Sequence, residues 1–389
     1  MAVPATSGRP SRRAALFIHI SNIYRLAIKE LRSIRADPVM LFLVAYTFSV
    51  SVYTVATGAS TEASNLTVGI VDEDHSDLSR QILNALTPPL FKTPQMVAPG
   101  DIDSAMDDGR LVFVVEIPPG FQSDILADRR PTVQINVDAT AMTQAGNGAV
   151  YLQSIIVQEV KGFLAKTSTD DAPVNIVVRS QFNPNLSSGW FTSVMQVINS
   201  ITMLTVILTG AALIREREQG TVEHLLVMPV VPIEIMLAKI IANGLVILVA
   251  AGLSLMLVVQ GWLGVPIAGS MVLFLAGAAL YVFTVAALGI LLGTLATTMG
   301  QFGLLAIPIL VIMQLLSGSS TPMESMPAWL RYGMNIISPT PHFVVFAQGV
   351  LYRGADLSMV WTSLAAVVAI GAVYFSFALR RFRGVIFGG

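Results

Sequence analysis

Six long apolar runs, separated by polar segments, dominate the pattern of residues along this chain. Each run approaches or reaches the roughly 20 residues that a helix needs to cross the hydrocarbon of a bilayer. The predicted spans are 39–58, 194–214, 237–259, 271–295, 302–318 and 360–379. The pattern predicts a polytopic α-helical membrane protein with six transmembrane helices, the fifth of them short.

A different pattern fills the segment between the first two spans. Its apolar residues either alternate as in strands or recur as on helices. Strands are predicted at 66–71, 111–117, 133–137 and 174–180, and helices at 78–86, 102–106, 121–126 and 145–164. Strands interleaved with helices predict an inserted α/β domain, which we interpret as a docking or gating module.

An acidic turn in this segment has two interpretations. Asp72, Asp74, His75 and Asp77 are close enough in sequence for a metal or catalytic cluster. The alternative, which is favoured here, is a solvated turn whose Asp and Ser residues cap the next helix.

An amphipathic pattern precedes the first span. The apolar positions recur every three or four residues, at Ile20, Ile23, Ala27, Ile28, Leu31 and Ile34. Arg25, Lys29 and Arg32 occupy the opposite side. This predicts a helix in the membrane interface, although a simple basic flank would explain the charges alone. The predicted organisation is an N-terminal segment 1–38, a first span 39–58, the α/β domain 59–190 and five further spans in 191–389.

Lysine and arginine are concentrated on one side of the predicted spans. They precede the first span, follow the second span within 215–236, and follow the last span at 380–383. Short loops on the other side carry Arg331 and Arg353. By the positive-inside rule, both termini face the cytoplasm and 59–190 is extracytoplasmic. The first span then acts as an uncleaved signal anchor.

Composition agrees with a membrane protein and argues against other classes. Of the 389 residues, 54% are hydrophobic and 12% are charged, against about 25% charged in ordinary soluble proteins. A net charge of -1 argues against nucleic-acid binding. The sequence has no cysteine, so disulfides, thiolate metal sites and cysteine nucleophiles are excluded.

Charged residues follow the second span directly. The segment 215–229 reads Arg-Glu-Arg-Glu-Gln-Gly-Thr-Val-Glu-His-Leu-Leu-Val-Met-Pro, with signs that alternate until a glycine intervenes. We call this segment the charged elbow, and it suits a surface that a partner protein binds. An ordinary helix cap with internal ion pairs, which are worth little at a surface, is the alternative.

A second motif lies after the fifth span. It consists of Ser-Gly-Ser-Ser-Thr-Pro at 317–322, Met-Pro-Ala-Trp-Leu at 326–330 and Ser-Pro-Thr-Pro-His at 338–342. With these two motifs and a large domain between its first two spans, the chain resembles the ABC-2 type permeases of the bacterial export branch. The resemblance covers nearly the whole chain.

The resemblance implies that 215–236 couples the chain to an ATPase. The residues expected to do so are Arg215, Glu216, Arg217, Glu218, Gln219, Gly220, Thr221, Glu223, Leu225, Leu226 and Pro229. Glycine permits a sharp turn. Glu223 with Leu225 and Leu226 suits a groove on the partner, because charge sets the register and leucine supplies buried area.

The resemblance also implies a re-entrant outer gate in 319–342, with a passive linker helix as the alternative. The expected gate residues are Gly318, Pro322, Met326, Pro327, Trp329, Leu330 and Pro339. We further expect one apolar side on this segment, formed by Met326, Trp329, Leu330, Met334 and Ile337, with Trp329 at the membrane interface.

Polar side chains inside spans are costly and mark candidates for a transport pathway. The candidates are Gln196, Asn199, Thr202, Asn243 and Gln314. Bonding of threonine to carbonyls of its own helix is the alternative for the threonines. We find no acidic or basic residue at a predicted membrane centre, which argues against an ion-coupled carrier.

These 389 residues contain no Gly-x-x-x-x-Gly-Lys-Ser/Thr phosphate loop. We therefore expect a non-enzymatic chain without a cofactor, while a separate ABC ATPase binds ATP and Mg²⁺. The resemblance implies export of a drug-like, lipidic or other solute across the bacterial inner membrane. Its implied partners are a second permease copy or sister permease, membrane lipid and a periplasmic adaptor. A mechanotransmission protein that acts through its external domain is the alternative, ahead of an ion-coupled carrier.

Overall fold

The computed structural model describes residues 12–58, 66–88, 90–138, 142–167, 188–220, 230–321 and 323–386. These residues fall into two compact units, one within 1–57 and 189–389 and the other within 58–188. We call the first the membrane unit and the second the α/β unit.

Helices and short strands follow one another along the chain in the order below. The first part comprises α1 Arg12–Ala36, α2 Pro38–Phe48, α3 Val50–Gly58, β1 Val68–Asp72, α4 Asp77–Ala85, β2 Gln95–Met96, α5 Ile102–Asp107, β3 Phe113–Ile117, α6 Phe121–Leu126, β4 Gln134–Val137 and α7 Met142–Thr167. The second part comprises α8 Ser188–Glu218, α9 Pro232–Leu253, α10 Met271–Leu295, α11 Met299–Leu315, α12 Ala328–Ile337, α13 Thr340–Arg353 and α14 Leu357–Ile386. A π-helical segment, Ser254–Trp262, continues α9.

Several helical segments are long and apolar enough to cross a membrane. Among the described residues these are the five segments Pro38–Gly58, Gly189–Glu218, Pro232–Trp262, Met271–Leu295 and Leu357–Gly384. They confirm a polytopic helical membrane protein. The predicted span 302–318 corresponds to α11, which has 17 residues. At about 26 Å it is slightly shorter than the roughly 30 Å of hydrocarbon.

Helix α8 lies at the centre of the membrane unit. In its most apolar stretch 78% of the residues are buried, against 22% in both α2–α3 and α14. Glycine allows α10 to approach it closely. A Cβ atom at Gly289 would lie 2.7 Å from the carbonyl oxygen of Val206, and one at Gly210 would lie 3.0 Å from that of Gly289. Small residues therefore allow tight packing of these two helices.

The two described ends of the membrane unit lie at the same end of the helix bundle, which we call the charged end. Leu26 of α1, Leu213 of α8 and Phe382 of α14 pack in one apolar cluster there. Helix α1 has the predicted amphipathic character, because it buries Ala27 against α9 and exposes Arg25.

The α/β unit contains a four-stranded sheet in the order β2-β1-β3-β4. Strand β1 is parallel to β2 and β3, whereas β4 is antiparallel to β3. Successive residues point to opposite faces of a sheet, so Val68 and Ile70 pack in a core with α4 and α7, while Val71 and Val114 pack with α5.

Three predicted strands and all four predicted helices of this unit are confirmed at or near their expected positions. The predicted strand 174–180 lies outside the described residues. Strand β2 was not predicted, because its two residues, Gln95 and Met96, are exposed and show no apolar alternation.

Candidate coupling site and transport pathway

The alternating charges 215–218 form the last turn of α8 rather than a separate coupling helix. Successive residues of an α-helix are about 100° apart, so four consecutive side chains point around most of its circumference. Each of them consequently meets a different neighbouring element. We call these side chains and their partners the α8 hub.

Arg215 connects the hub to the start of α2. Its Nη1 donates to Oδ2 of Asp37 at 2.9 Å. Asp37 is also the N-cap of α2, and its Oδ1 accepts from the backbone nitrogens of Val39 and Met40, both at 3.1 Å. The backbone N–H of Met40 contributes most to the lowered pKa of Asp37, and Arg215 lowers that pKa further against the opposing effect of burial.

Glu216 belongs to a cluster of charges that is buried apart from the half-exposed Lys29. Its Oε2 lies 2.8 Å from Lys239 Nζ of α9, and its Oε1 lies 3.3 Å from Lys29 Nζ of α1. Lys239 also pairs with Glu30 of α1 at 2.9 Å, and its side chain is 2% exposed. Two bases and two acids balance one another here, which removes the need to bury an unpaired charge.

Arg217 and Glu218 connect the hub to the junction between α10 and α11. Arg217 Nη1 donates to the carbonyl oxygen of Ala296, directly after α10, at 2.8 Å. Glu218 Oε1 accepts from the backbone nitrogen of Met299, the first residue of α11, at 3.0 Å. Both contacts satisfy backbone groups that a helix terminus leaves unpaired.

The predicted turn after this helix is present. Gly220 has a φ of +67°, the left-handed conformation that glycine adopts at helix ends. The backbone nitrogen of Gln219 still donates to the carbonyl of Arg215 at 3.0 Å. The other predicted coupling residues, Thr221, Glu223, Leu225, Leu226 and Pro229, lie outside the described residues.

Sequence reasoning missed the hub's partners. Glu30 and Asp37 both precede the first apolar run, and such residues are ordinarily assigned to the membrane flank. Lys239 carried a usable signal, because it lies inside the predicted span 237–259. A lysine at such a position needs a specific partner.

Part of the predicted pathway lines one small cavity between α8 and α11. Asn199, Thr202 and Gln314 border this cavity of about 170 Å³, together with apolar residues of both helices and Thr340 of α13. The side chains of Ile307 and Met203, which also line it, are 60% and 47% exposed on this chain. The cavity is therefore open on that side.

The remaining pathway candidates make other contacts. Gln196 Nε2 donates to Ser51 Oγ of α3 at 3.1 Å. Asn243 Nδ2 donates to the carbonyl of Lys239 in its own helix at 2.9 Å. Thr202, besides lining the cavity, donates to the carbonyl of Ile198 in its own helix at 3.0 Å, as the alternative for the threonines expects.

A buried tyrosine that the sequence did not single out joins three helices. Tyr281 of α10 is fully buried, and its hydroxyl lies 2.7 Å from Thr202 Oγ1 and 3.1 Å from Thr340 Oγ1. Its ring stacks on Phe343 with the centroids 4.0 Å apart. Both threonines also line the cavity, so Tyr281 holds part of its wall in place.

The predicted gate segment contains a turn and the short helix α12. Gly318 has a φ of +85°, Pro327 is the N-cap of α12 and the buried Pro339 is the N-cap of α13. Leu330 is partly buried, and Pro322 lies outside the described residues.

The residues of the expected apolar side differ in their burial. Met326 and Met334 are buried, whereas Trp329 and Ile337 are 75% and 65% exposed. Some apolar residues of α12 therefore pack against the protein and others are exposed. The spacing of apolar residues in the sequence does not distinguish the two groups.

The acidic turn of the α/β unit acts as a cap. Asp72 Oδ1 accepts from the backbone nitrogens of Asp74 and His75, and its Oδ2 accepts from Ser79 Oγ at 2.8 Å. Ser76 Oγ accepts from the backbone nitrogen of Ser79. Within the described residues no group of three or more acidic or histidine side chains is arranged to hold a metal ion.

The membrane unit is a bundle of helices long and apolar enough to cross a membrane, with a bonded turn at its charged end. These features define a polytopic helical membrane protein. A family model described as ABC-2 family transporter protein matches residues 39–380. The chain belongs to this family.

Individual relatives agree with this assignment. The chain is 50% identical over 369 residues to the inner membrane transport permease YhhJ of Escherichia coli K12, covering 95% of this chain and 98% of the relative. It is 27% identical to the probable multidrug ABC transporter permease YbhR of the same organism, covering 93% of this chain and 98% of the relative. It is 25% identical to the probable multidrug ABC transporter permease YbhS of that organism, covering 85% of this chain and 88% of the relative.

Proposed function

We propose that this chain is the transmembrane subunit of an ATP-driven exporter in the bacterial inner membrane. A separate ABC ATPase, which binds ATP and Mg²⁺, supplies the energy. The α8 hub is the observation that carries the proposal, because one helix turn is bonded to α1, α2, α9 and the α10–α11 junction. A partner that moves this turn moves all of these elements together. Membership of the family supports the ATPase partner, and the names of the YbhR and YbhS relatives support a drug-like solute.

The charged end faces the cytoplasm in this proposal, with six crossings of the membrane. Helix α11 begins beside Glu218, and Ser319 just after it donates to Asn199 Oδ1 of α8 at 3.4 Å. The part of α8 between Asn199 and Glu218 rises about 28 Å. Helix α11 and its following turn therefore cover nearly the roughly 30 Å of hydrocarbon and serve as the fifth crossing.

Coupling divides between two neighbouring regions. The segment 221–229 contacts the ATPase, and the α8 hub transmits its movement to the spans. The polar cavity between α8 and α11 belongs to the solute pathway, and a second permease copy or sister permease closes its open side. The α/β unit lies outside the membrane, where a periplasmic adaptor is a further partner.

A co-purification experiment separates contact from transmission. The intact chain and its ATPase are co-expressed, and Glu223→Ala and Leu226→Asp are compared with Glu216→Gln. The first two variants are expected to lose bound ATPase. Glu216→Gln is expected to retain the ATPase but lose ATP-dependent transport in vesicles. Unchanged ATPase binding in both contact variants would remove the coupling role from 221–229, and transport driven by an ion gradient without ATPase would overturn the whole proposal.

The absence of native cysteine makes the second-copy proposal testable in membranes. A single Ile307→Cys substitution places one thiol at the open side of the cavity, and Val373→Cys places one on the exposed side of α14. Oxidative cross-linking is expected to give a dimer with the first variant and not with the second. Dimers from Val373→Cys alone would place the second copy on another face.

A further inference from the structure

Arginines at the end of α14 differ from the other basic residues of the charged end. Arg380, Arg381 and Arg383 are exposed and form no ion pair with the described residues. Arg215 and Lys239, at the same end of the bundle, both pair with carboxylates. The α14 arginines therefore present positive charge without an internal partner in the described structure.

Two of these arginines line a cleft between α10 and α14. The cleft has a volume of about 570 Å³ and is bordered by Leu291, Phe377, Arg380, Arg381 and Gly384. The four α14 positions recur at intervals of three and four residues and so share one side of the helix. Apolar side chains therefore line one part of the cleft and guanidinium groups line the other. None of its lining residues is a carboxylate.

The position of the cleft relative to the membrane follows from the length of α14. The apolar segment Leu357–Gly384 has 28 residues and is about 42 Å long. This matches hydrocarbon plus both headgroup layers, about 40–45 Å. Arg380 and Arg381 thus fall at the boundary between hydrocarbon and headgroups. Trp361, 59% exposed near the other end of the helix, stands where aromatic anchors are expected.

We propose that this cleft binds the phosphate of an anionic phospholipid from the leaflet at the charged end. Arg380 and Arg381 hold the phosphate oxygens, because the planar guanidinium donates two parallel hydrogen bonds to such a group. The acyl chain runs along Leu291 and Phe377. This site is independent of the ATPase contact proposed above.

Native mass spectrometry of the intact chain in neutral detergent tests the site. The protein is titrated with phosphatidylglycerol, with phosphatidylcholine and inorganic phosphate as comparison probes. Each basic residue near an anionic surface is worth about fivefold in affinity, so Arg380→Gln/Arg381→Gln should weaken phosphatidylglycerol binding about 25-fold. Arg380→Lys/Arg381→Lys, which retains the charge but not the bidentate geometry, should fall between this variant and the parent.

The charge-matched control is Arg25→Gln/Arg32→Gln on α1, because both arginines are exposed and lie on the helix that packs at the same end. Its affinity is expected to stay close to that of the parent. An equal loss in the control would show general charge attraction and overturn the site. Displacement of the lipid by inorganic phosphate would also overturn it, as would unaltered phosphatidylglycerol binding in Arg380→Gln/Arg381→Gln.

Discussion

Replacement of Lys239 by methionine should destabilise the chain far more than loss of a surface lysine. Lys239 is 2% exposed and contacts Glu30 and Glu216, whose side chains are 12% and 14% exposed. Removal of one partner from a buried ion pair costs about 3–5 kcal/mol, since the remaining charges stay buried without compensation. Glu216 retains Lys29 at 3.3 Å. We therefore expect the lower end of this range, about 3 kcal/mol for Lys239→Met.

A double-mutant cycle tests the cause of this loss. Glu216→Gln alone should cost about 1–2 kcal/mol, because Lys239 keeps Glu30 and the half-exposed Lys29 is solvated. The double variant removes one base and one acid and leaves Lys29 with Glu30. Its cost should be close to that of Lys239→Met alone, so the two changes should be less than additive by about 1 kcal/mol or more.

Equilibrium unfolding in mixed detergent micelles, followed by tryptophan fluorescence, measures these differences. The control is Arg32→Met on α1, since Arg32 is exposed and forms no ion pair with the described residues; it should change the free energy of unfolding by less than about 0.5 kcal/mol. A cost below 1 kcal/mol for Lys239→Met would refute the reasoning. Additivity of the two changes would also refute it.

Three further predictions concern packing, hydrogen bonding and pH dependence. Gly289→Ala should cost about 1–3 kcal/mol, because its Cβ would lie 2.7 Å from a backbone oxygen. In contrast, Gly303→Ala, which meets open space, should stabilise α11 by up to about 1 kcal/mol; equal shifts in the thermal unfolding temperature would contradict this. Tyr281→Phe should cost about 1–2 kcal/mol in the same assay, because it leaves two buried threonine hydroxyls with one partner fewer. Asp37→Asn should destabilise the chain at pH 7. Since the folded pKa of Asp37 is lowered from 3.8, its contribution is complete above that value, and the difference from the parent should vanish as pH falls through the folded pKa. A constant difference from pH 7 to pH 2 would contradict the assignment.

The sequence predicts the spans well because hydrophobicity is a local property. A helix in hydrocarbon satisfies its own backbone groups, so an apolar run of sufficient length specifies its structure without knowledge of its neighbours. The same reasoning fails for the partners of the hub. Arg215 and Asp37 are 178 positions apart, and Lys239 and Glu30 are 209 apart. The sequence around one residue of such a pair does not identify its partner.

Partial exposure causes the other misses. Met334 and Trp329 are both apolar residues of helix α12, and only packing distinguishes the buried Met334 from the exposed Trp329. The cavity between α8 and α11 likewise depends on which polar residues of α8 face α11. Asn199 does so, whereas Gln196, three positions earlier, bonds to α3 instead.

The two interpretations of the charged elbow apply to different residues. Internal pairing describes 215–218, whose side chains all bond within the chain, and the buried lysine distinguishes these contacts from weak surface pairs. Separation of these contacts would cost several kcal/mol, because hydrogen bonds to charged groups contribute about 1.5–3 kcal/mol each. A displacement of the last turn of α8 is therefore less costly when the bonded helices move with it than when they stay in place. If the ATPase pushes on 221–229, the response of the bundle should be a concerted shift of α1, α2, α9 and the α10–α11 junction.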